Sequence, residues 1–220
     1  MSEILTTSSK REQLGGLHYT TAHTGKMQGL QSLSTSVSAN PICKKRAQDK
    51  SSICSKCFAA AMMKRYNALD QRLSDNLNIL SSSVLPSEVL PLIPVKYFRF
   101  EAFGDLASVN QVINYFNIAK KNPETRCALW TKNPQFIAKA IELGHAKPSN
   151  LQIVLSSPQL NKPLKDVRFS FVDKVFTVYD KQHAADVDIN CGARSCLGCG
   201  RCYRPNPEGV KVQQVRELLK

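Results

Sequence analysis

The chain has 220 residues, enough for one large domain or two small ones with a substantial core. Hydrophobic residues make up 42 % and charged residues 21 % of the chain, which excludes a mainly disordered protein. No apolar stretch approaches the roughly 18 residues of a membrane span, and the first residues lack the apolar core of a secretory signal. The sequence therefore predicts a cytosolic protein that is not inserted in a membrane.

The positive charge is concentrated near the cysteines. The formal net charge is +13, and residues 41–65 and 191–204 contribute +6 and +3 of it. The same two segments hold seven of the eight cysteines. Basic side chains lower the pKa of neighbouring thiols, which favours the metal-binding thiolate. They also suit an anionic prosthetic group or a phosphate-bearing partner such as a nucleic acid.

The first elements in chain order are an arm and a helix. Residues 1–40 are rich in Ser, Thr and Gly and predict an irregular N-terminal arm, which leaves residues 41–220 as a single α/β metal-binding domain. From Phe58 to Leu80, apolar residues recur at intervals of three and four, which predicts an amphipathic helix. Cys57 would then lie at the N-terminus of this helix, where the helix dipole favours an anionic centre.

Short β-rich runs then alternate with helical ones. The pattern predicts strands at 95–103, 126–132, 151–157 and 175–180, and helices at 108–121 and 134–143. Cys127 lies in the second of these strands and is predicted to be a buried core residue. Asn206 as N-cap and Pro207 at the first helical position predict a closing helix at the end of the chain.

This alternation implies parallel βαβ units with right-handed crossovers. The predicted fold class is therefore α/β, either a partial (β/α) barrel with four to six mostly parallel strands and a cysteine-rich C-terminal loop, or a small open sheet. In both folds the functional face lies at the carboxyl ends of the strands. The residues of notable chemistry that end or follow the strands are Arg99, Glu101, Gly104, Asp105, Trp130, Thr131, Lys132, Ser156, Ser157, Tyr179 and Asp180.

The cysteines outside the strands predict a metal site. One group has gaps of ten and two residues, and the other has gaps of four, two and two; together they are Cys43, Cys54, Cys57, Cys191, Cys196, Cys199 and Cys202. Clustered cysteines in a cytosolic chain indicate metal ligands before disulfides. The second group resembles ferredoxin runs, which favours an iron–sulfur cluster, most simply 4Fe–4S. Zinc is the alternative, because pairs with two-residue gaps also form zinc knuckles.

The motifs PIC…ICSKCFAA, FRFEAFGDL, ALWTKNP, IVLSS and CGARSCLGCGRCY, in this order, resemble the bacteriophage gene-product-88-like proteins from about residue 26 to residue 203. Those proteins look like distant relatives of radical S-adenosylmethionine enzymes. The resemblance implies that Cys43, Cys54 and Cys57 hold three irons of a 4Fe–4S cluster, whose fourth iron binds S-adenosylmethionine. The cofactor-binding residues predicted from this resemblance and from the strand ends are Arg99, Glu101, Gly104, Asp105 and Lys132.

Three functions remain as alternatives. The first is an iron–sulfur cluster-binding phage protein of the host cytoplasm, with the cluster in a structural, redox or sensing role. The second is a radical S-adenosylmethionine-type enzyme, although the ten residues between Cys43 and Cys54 exceed the spacing usual in such enzymes. The third is a zinc-stabilised basic module that binds nucleic acid. In a partial barrel the two cysteine groups would converge at the carboxyl-end rim.

Overall fold

The structure is a computed structural model that describes residues 16–21 and 23–219. The first 15 residues of the predicted N-terminal arm, Ala22 and Lys220 lie outside the described residues. In the described part, seven strands form one sheet. They are β1 (Tyr19–Thr20), β2 (Gln31–Leu33), β3 (Tyr97–Phe100), β4 (Arg126–Thr131), β5 (Leu151–Ser156), β6 (Lys174–Tyr179) and β7 (Gln213–Leu218).

Helices connect most of the strands. The α-helices are α1 (Pro41–Gln48), α2 (Phe58–Arg65), α3 (Asn67–Ser82), α4 (Val109–Lys121), α5 (Pro134–Glu142), α6 (Lys181–Ala184) and α7 (Cys196–Cys199). Short 3-10 helices cover Gly25–Met27, Ile53–Lys56, Ser87–Val89 and Arg201–Tyr203. Over residues 16–21 and 23–219, none of the helices is long and apolar enough to cross a membrane.

The strands follow one another across the sheet in chain order. β1 is antiparallel to β2, and every other neighbouring pair is parallel. The sheet is not closed, since β1 and β7 form its two edges. These findings confirm the α/β class and the mostly parallel sheet. The strand count is seven instead of four to six, because both ends of the chain add strands to the four predicted ones.

The described part of the predicted irregular arm contributes to the sheet. β2 pairs in parallel with β3, and the side chains of Ser32 and Leu33 are buried. A run rich in serine carries no apolar alternation, so the sequence pattern did not reveal this strand. The buried serine that follows this strand, Ser34, accepts hydrogen bonds through Oγ from the backbone N–H groups of Ala102 and Phe103.

The predicted closing helix is wrong, because Gln213–Leu218 forms β7 and pairs with β6 along its whole length. The side chain of Asn206 does not cap a helix. It accepts a hydrogen bond from Lys174 Nζ and donates one to the carbonyl of Asp173. Pairing with the edge of β6 satisfies backbone groups that a short terminal helix would leave exposed, so the tertiary contact outweighs the local cap signal.

The predicted helix from Phe58 to Leu80 is divided into α2 and α3. Tyr66 separates them with a non-helical φ of −129°, and its carbonyl accepts hydrogen bonds from the N–H groups of Leu69 and Asp70, which starts α3 anew. The helices predicted at 108–121 and 134–143 are confirmed. Ser108 caps the first by accepting from the N–H of Gln111.

The two faces of the sheet have different neighbours. One face carries Phe98, Phe100, Leu129 and Ile153, which pack in a core with residues of α3, α4 and α5. The opposite face carries alternate strand residues such as Tyr97 and packs against Tyr203 of the C-terminal cysteine-rich loop. The helix-covered face is therefore the main core, and the other face holds the candidate site.

Cys127 is buried in the main core, as predicted. Its thiol lies 3.7 Å from the carbonyl oxygen of Thr125, and burial raises its pKa to about 12. We expect Cys127→Ala to lower the free energy of unfolding by about 1–2 kcal/mol, through the small cavity that it leaves. Urea unfolding measures this loss. Bound metal should stay unchanged, and a variant that loses metal would contradict the core assignment.

Candidate metal and ligand site

Two adjoining cavities lie at the carboxyl ends of the central strands. Their volumes are about 570 Å³ and about 670 Å³. Cys43 lines the first cavity, and the four C-terminal cysteines line the second. Residues that line both are Ile53, Cys54, Cys57, Phe58, Arg99, Ala102, Trp130, Lys132, Phe176 and Val178. Cys54 and Cys57 thus line the second cavity together with the four C-terminal cysteines, from which they are more than 130 residues apart in sequence.

Helix α1, which carries Cys43, is fastened to the ends of β3 and β4. Its N-cap Asn40 accepts from the N–H of Cys43 through Oδ1 and donates through Nδ2 to the carbonyl of Asp105, at 2.8 Å. Arg46 forms an ion pair with Asp105, 3.2 Å between Nη1 and Oδ2, and donates to the carbonyl of Lys132 at 2.9 Å. Asp105 therefore positions the helix that presents Cys43.

Cys54 and Cys57 lie on a tight turn that leads into α2. Ser52 Oγ accepts from the N–H of Cys54 at 3.2 Å, and the N–H of Cys57 donates to the carbonyl of Cys54 at the same distance. The N–H of Ile53 fastens the turn to the carbonyl of Pro158, at 2.8 Å. Cys57 directly precedes the first residue of α2, as predicted, so its thiol is at the positive end of that helix.

The C-terminal loop is held against the sheet at several points. The N–H of Cys191 donates to the carbonyl of Arg216 on β7 at 2.9 Å. Gly200 has a φ of +60°, and a Cβ there would lie 2.5 Å from the hydroxyl of Tyr97, so only glycine fits this approach. Tyr203 stacks on Tyr97, with ring centroids 5.0 Å apart, and lies at a tilt to Trp130.

A buried lysine on β6 binds the end of this loop through hydrogen bonds. Lys174 donates through Nζ to the carbonyl of Arg204 at 3.0 Å and to Asn206 Oδ1 at 2.5 Å. Burial lowers the pKa of Lys174. The sequence analysis missed this residue, since a lysine at the start of an apolar strand gave no sign of the distant carbonyl that it binds.

Two cations outside the basic segments lie beside the thiols. Lys26 Nζ is 2.6 Å from the carbonyl oxygen of Cys191, 3.9 Å from its sulfur and 2.7 Å from Glu217 Oε1. Burial acts to lower the pKa of Lys26, but the hydrogen bond and charge of Glu217 outweigh it and the pKa is raised. The guanidinium of Arg99 lies 3.8 Å above the ring of Trp130, in the wall between the cavities. Lys26 was not among the predicted site residues.

The expectation that basic neighbours lower the thiol pKa values is wrong for four of the cysteines. Burial raises the pKa of Cys43, Cys191, Cys196 and Cys202, the last to about 12. Arg99 acts in the opposite direction on Cys196 and Cys202, but its effect is smaller than that of burial. A metal that binds these cysteines must therefore displace protons from them.

Glu101 and Gly104 shape the wall of the first cavity. Glu101 is buried with a φ of +57°, and its carboxylate accepts hydrogen bonds from Thr35, Gln111 and Tyr115. Gly104 has a φ of +83°, and a Cβ there would lie 2.4 Å from the carbonyl oxygen of Thr35. The loop from β3 to Asp105 is thus held by the side chain of Glu101 and by the close approach of the Gly104 backbone to Thr35. The sequence analysis had assigned Glu101 and Gly104 to cofactor binding.

Of the other residues predicted at the strand ends, some line a cavity and some do not. Thr131, Ser156 and Ser157 line the first cavity together with Trp130 and Lys132. Tyr179 and Asp180 belong to neither lining, and Asp180 instead accepts a hydrogen bond from the ring of His183. The carboxyl ends of β3, β4 and β5 therefore build the site, and that of β6 contributes Phe176 and Val178.

Glu101 should make the stability of the protein depend on pH. Burial raises its pKa from 4.5 to about 8, against the opposing hydrogen bonds of Tyr115 and Thr35. Between these two pH values the folded protein binds more protons than the unfolded chain, so the free energy of unfolding falls as pH rises. We expect Glu101→Gln to remove this component, which amounts to at most about 1.4 kcal/mol per pH unit. Urea unfolding of both proteins at several pH values measures it, and parallel curves would contradict the assignment.

The thiols border cavities and do not meet at one point. Over residues 16–21 and 23–219, no group of three or more His, Cys, Asp or Glu side chains is arranged to hold a metal ion. Within each group the cysteines nevertheless line a common cavity. Burial raises the pKa of Cys43, and Asp105, Glu101, Cys54 and Cys57 add smaller contributions; burial likewise raises the pKa of Cys202, with smaller contributions from Cys191 and Cys196.

Comparisons with known proteins identify the family. No curated protein matches the chain, and no solved structure matches it. A family model described as Gene product 88 matches residues 6–215, which include all eight cysteines and nearly all of the cavity lining. Because this match covers almost the whole sequence, the chain belongs to the Gene product 88 family.

Proposed function

We propose that this protein binds iron–sulfur clusters through the seven cysteines of the two groups. The observation that carries the proposal is that both groups line adjoining cavities on one face of the sheet. Thiolates are the usual ligands of such clusters, which supply electron transfer or a rigid structural link when bound. Helices cover one face of the sheet and the cavities lie on the other, from which we infer a partial barrel. As a member of the Gene product 88 family, the protein is proposed to act in the cytoplasm of a phage-infected host.

The thiols divide into a set of three and a set of four. Cys43, Cys54 and Cys57 all line the first cavity, and the four members of the C-terminal group all line the second. A set of four satisfies a cluster with thiolates alone, whereas a set of three leaves one iron for another ligand. We therefore propose two centres, one beside each cavity.

The surroundings favour a cluster over a single zinc ion. A structural zinc ion draws four ligands to about 2.0–2.3 Å around one point, whereas these thiols border cavities of several hundred cubic ångströms. Lys26 and Arg99 lie among the thiols, and such cations compensate the negative charge of a thiolate-bound cluster. The residues present therefore fit an iron–sulfur cluster better than a zinc site.

Anaerobic purification tests this proposal. A brown protein with broad visible absorption, inorganic sulfide and about eight irons per chain is expected for two 4Fe–4S centres. Cys57→Ser and Cys199→Ser should each remove about half of the iron. A colourless protein that holds zinc would overturn the proposal and favour the zinc-stabilised module.

A second candidate function is catalysis of the radical S-adenosylmethionine type. It is favoured by the three-thiol set beside a cavity of about 570 Å³, which is large enough for a small molecule. Arg99 and Lys132 line that cavity and could hold a carboxylate, while Glu101 is engaged inside the wall. Incubation of the chemically reduced protein with S-adenosylmethionine tests this function. Reductive cleavage that is lost in Cys57→Ser is expected, and an intact cofactor would exclude it.

A further inference from the structure

We propose that the mouth of the two cavities binds single-stranded nucleic acid, with Phe58 as a platform for base stacking and the surrounding lysines as phosphate contacts. This inference goes beyond cluster binding and does not depend on which metal the cysteines hold. It rests on the charges at the mouth, on how the nearby acidic groups are occupied, and on one exposed aromatic side chain.

Four ammonium groups surround the mouth without acidic partners. Lys44 and Lys64 line the first cavity, Lys56 lines the second, and Lys132 lines both. In the part of the chain that the structure describes, none of these four ammonium groups takes part in an ion pair or a side-chain hydrogen bond. Their charge is therefore available to an anion from outside.

The carboxylates of the cavity walls already form ion pairs or hydrogen bonds within the protein. Asp105 is paired with Arg46, and the buried Glu101 accepts from three side chains. Asp70 accepts hydrogen bonds of 2.6 Å from the hydroxyls of Ser36 and Ser38. In the second cavity, Glu217 is paired with Lys26. The two ion pairs cancel the charges of Asp105 and Glu217, and the four lysines outnumber the acids that remain, so the mouth keeps a positive potential, which attracts a polyanion.

Phe58 adds an aromatic surface to this charge. It is the first residue of α2, lines both cavities and is 64 % exposed, so its ring is accessible at the mouth. One side of the ring leans on Phe103, with centroids 5.6 Å apart, which holds it in place. Exposed aromatic rings among basic residues stack unpaired bases with little regard to sequence.

The basic surface extends beyond the mouth, which favours an extended strand over a mononucleotide. Lys45, Lys50 and Arg65 are also exposed on the segment that includes α1 and α2. The single acid of that segment is Asp49, whose carboxylate accepts from the backbone and hydroxyl of Ser51. A strand several nucleotides long can place phosphates along this surface and one base on Phe58.

Fluorescence anisotropy with a labelled single-stranded oligonucleotide over a range of salt concentrations tests the proposal. We expect Phe58→Ala to weaken binding about 10-fold with little change in the salt slope, as loss of one stacking platform does. Lys56→Gln and Lys64→Gln should each reduce the salt slope by about 0.7, the value for one phosphate contact on a single strand. Leu92→Ala and Lys120→Gln, both exposed and outside the cavity linings, are the matched controls and should bind like the unchanged protein.

Equal binding of the duplex of the same sequence, or an unchanged affinity of Phe58→Ala, would overturn the inference. Iron content is measured on every sample, so this failure can be separated from that of cluster binding. Iron-loaded protein that ignores the oligonucleotide contradicts only the present inference. Iron-free, zinc-loaded protein that binds it through Phe58 supports the inference and contradicts only the cluster.

Discussion

Replacing Cys199 by serine is expected to remove one centre and to lower the melting temperature by about 10 °C, which corresponds to roughly 3–5 kcal/mol for a chain of this size. Few apolar side chains hold the C-terminal loop, since Tyr203 is its one buried aromatic residue in the described structure. Bound metal contributes folding free energy directly, because the liganded geometry is absent from the unfolded chain. Differential scanning calorimetry and iron analysis of the purified variant measure the two losses.

Leu197 offers a matched control within the same helix, α7. Its side chain is partly exposed and cannot bind a metal, so Leu197→Ser should keep the iron and most of the melting temperature. The contacts of Tyr203 with Tyr97 and Trp130 should keep the end of the loop docked even without metal. A Cys199→Ser protein that retains full iron and unchanged melting would show that this cysteine is not a ligand.

The elements that could be predicted are those whose local and tertiary signals agree. The strands β3 to β6 are apolar because helices or the C-terminal loop cover both faces, and α4 has Ser108 as a local cap. β7 could not be predicted, because its stability comes from pairing with β6, while Asn206 and Pro207 locally favour a helix start. β2 was missed for a related reason, since Ser34, the buried residue that follows it, depends on hydrogen bonds from the distant residues Ala102 and Phe103.

The candidate site was predictable where chemistry alone identifies a residue. Cysteines at metal-ligand spacing stand out in any sequence, and the residues predicted at the strand ends to bind a cofactor, such as Arg99 and Lys132, line the first cavity. Their binding of a cofactor stays a prediction. The roles within the site depend on three-dimensional contacts that sequence does not encode locally. Glu101 is thus a buried wall residue, and Lys26, from the predicted arm, lies 3.9 Å from the sulfur of Cys191.

Asp105→Asn should displace helix α1, which carries Cys43, while leaving the cysteines themselves unchanged. The carboxylate of Asp105 accepts from Thr131 Oγ1 at 2.6 Å, from the N–H of Lys132 and from Arg46, so it links β3, β4 and α1. Breaking a largely buried pair by removing one charge costs about 3–5 kcal/mol, and the partial exposure of Arg46 should reduce this to about 2–3 kcal/mol. Urea unfolding measures the loss.

The same variant separates positioning from bulk stability. Since α1 carries Cys43, its displacement should cost the iron of one centre, about four atoms per chain, and spare the centre of the C-terminal group. Asp49→Asn is the matched control, because Asp49 is exposed and its carboxylate accepts hydrogen bonds from Ser51 next to it. That change should leave stability within about 0.5 kcal/mol and iron unchanged. If Asp105→Asn is destabilised yet keeps all of its iron, Cys43 reaches the cluster without the Asp105–Arg46 pair, and that pair is structural alone.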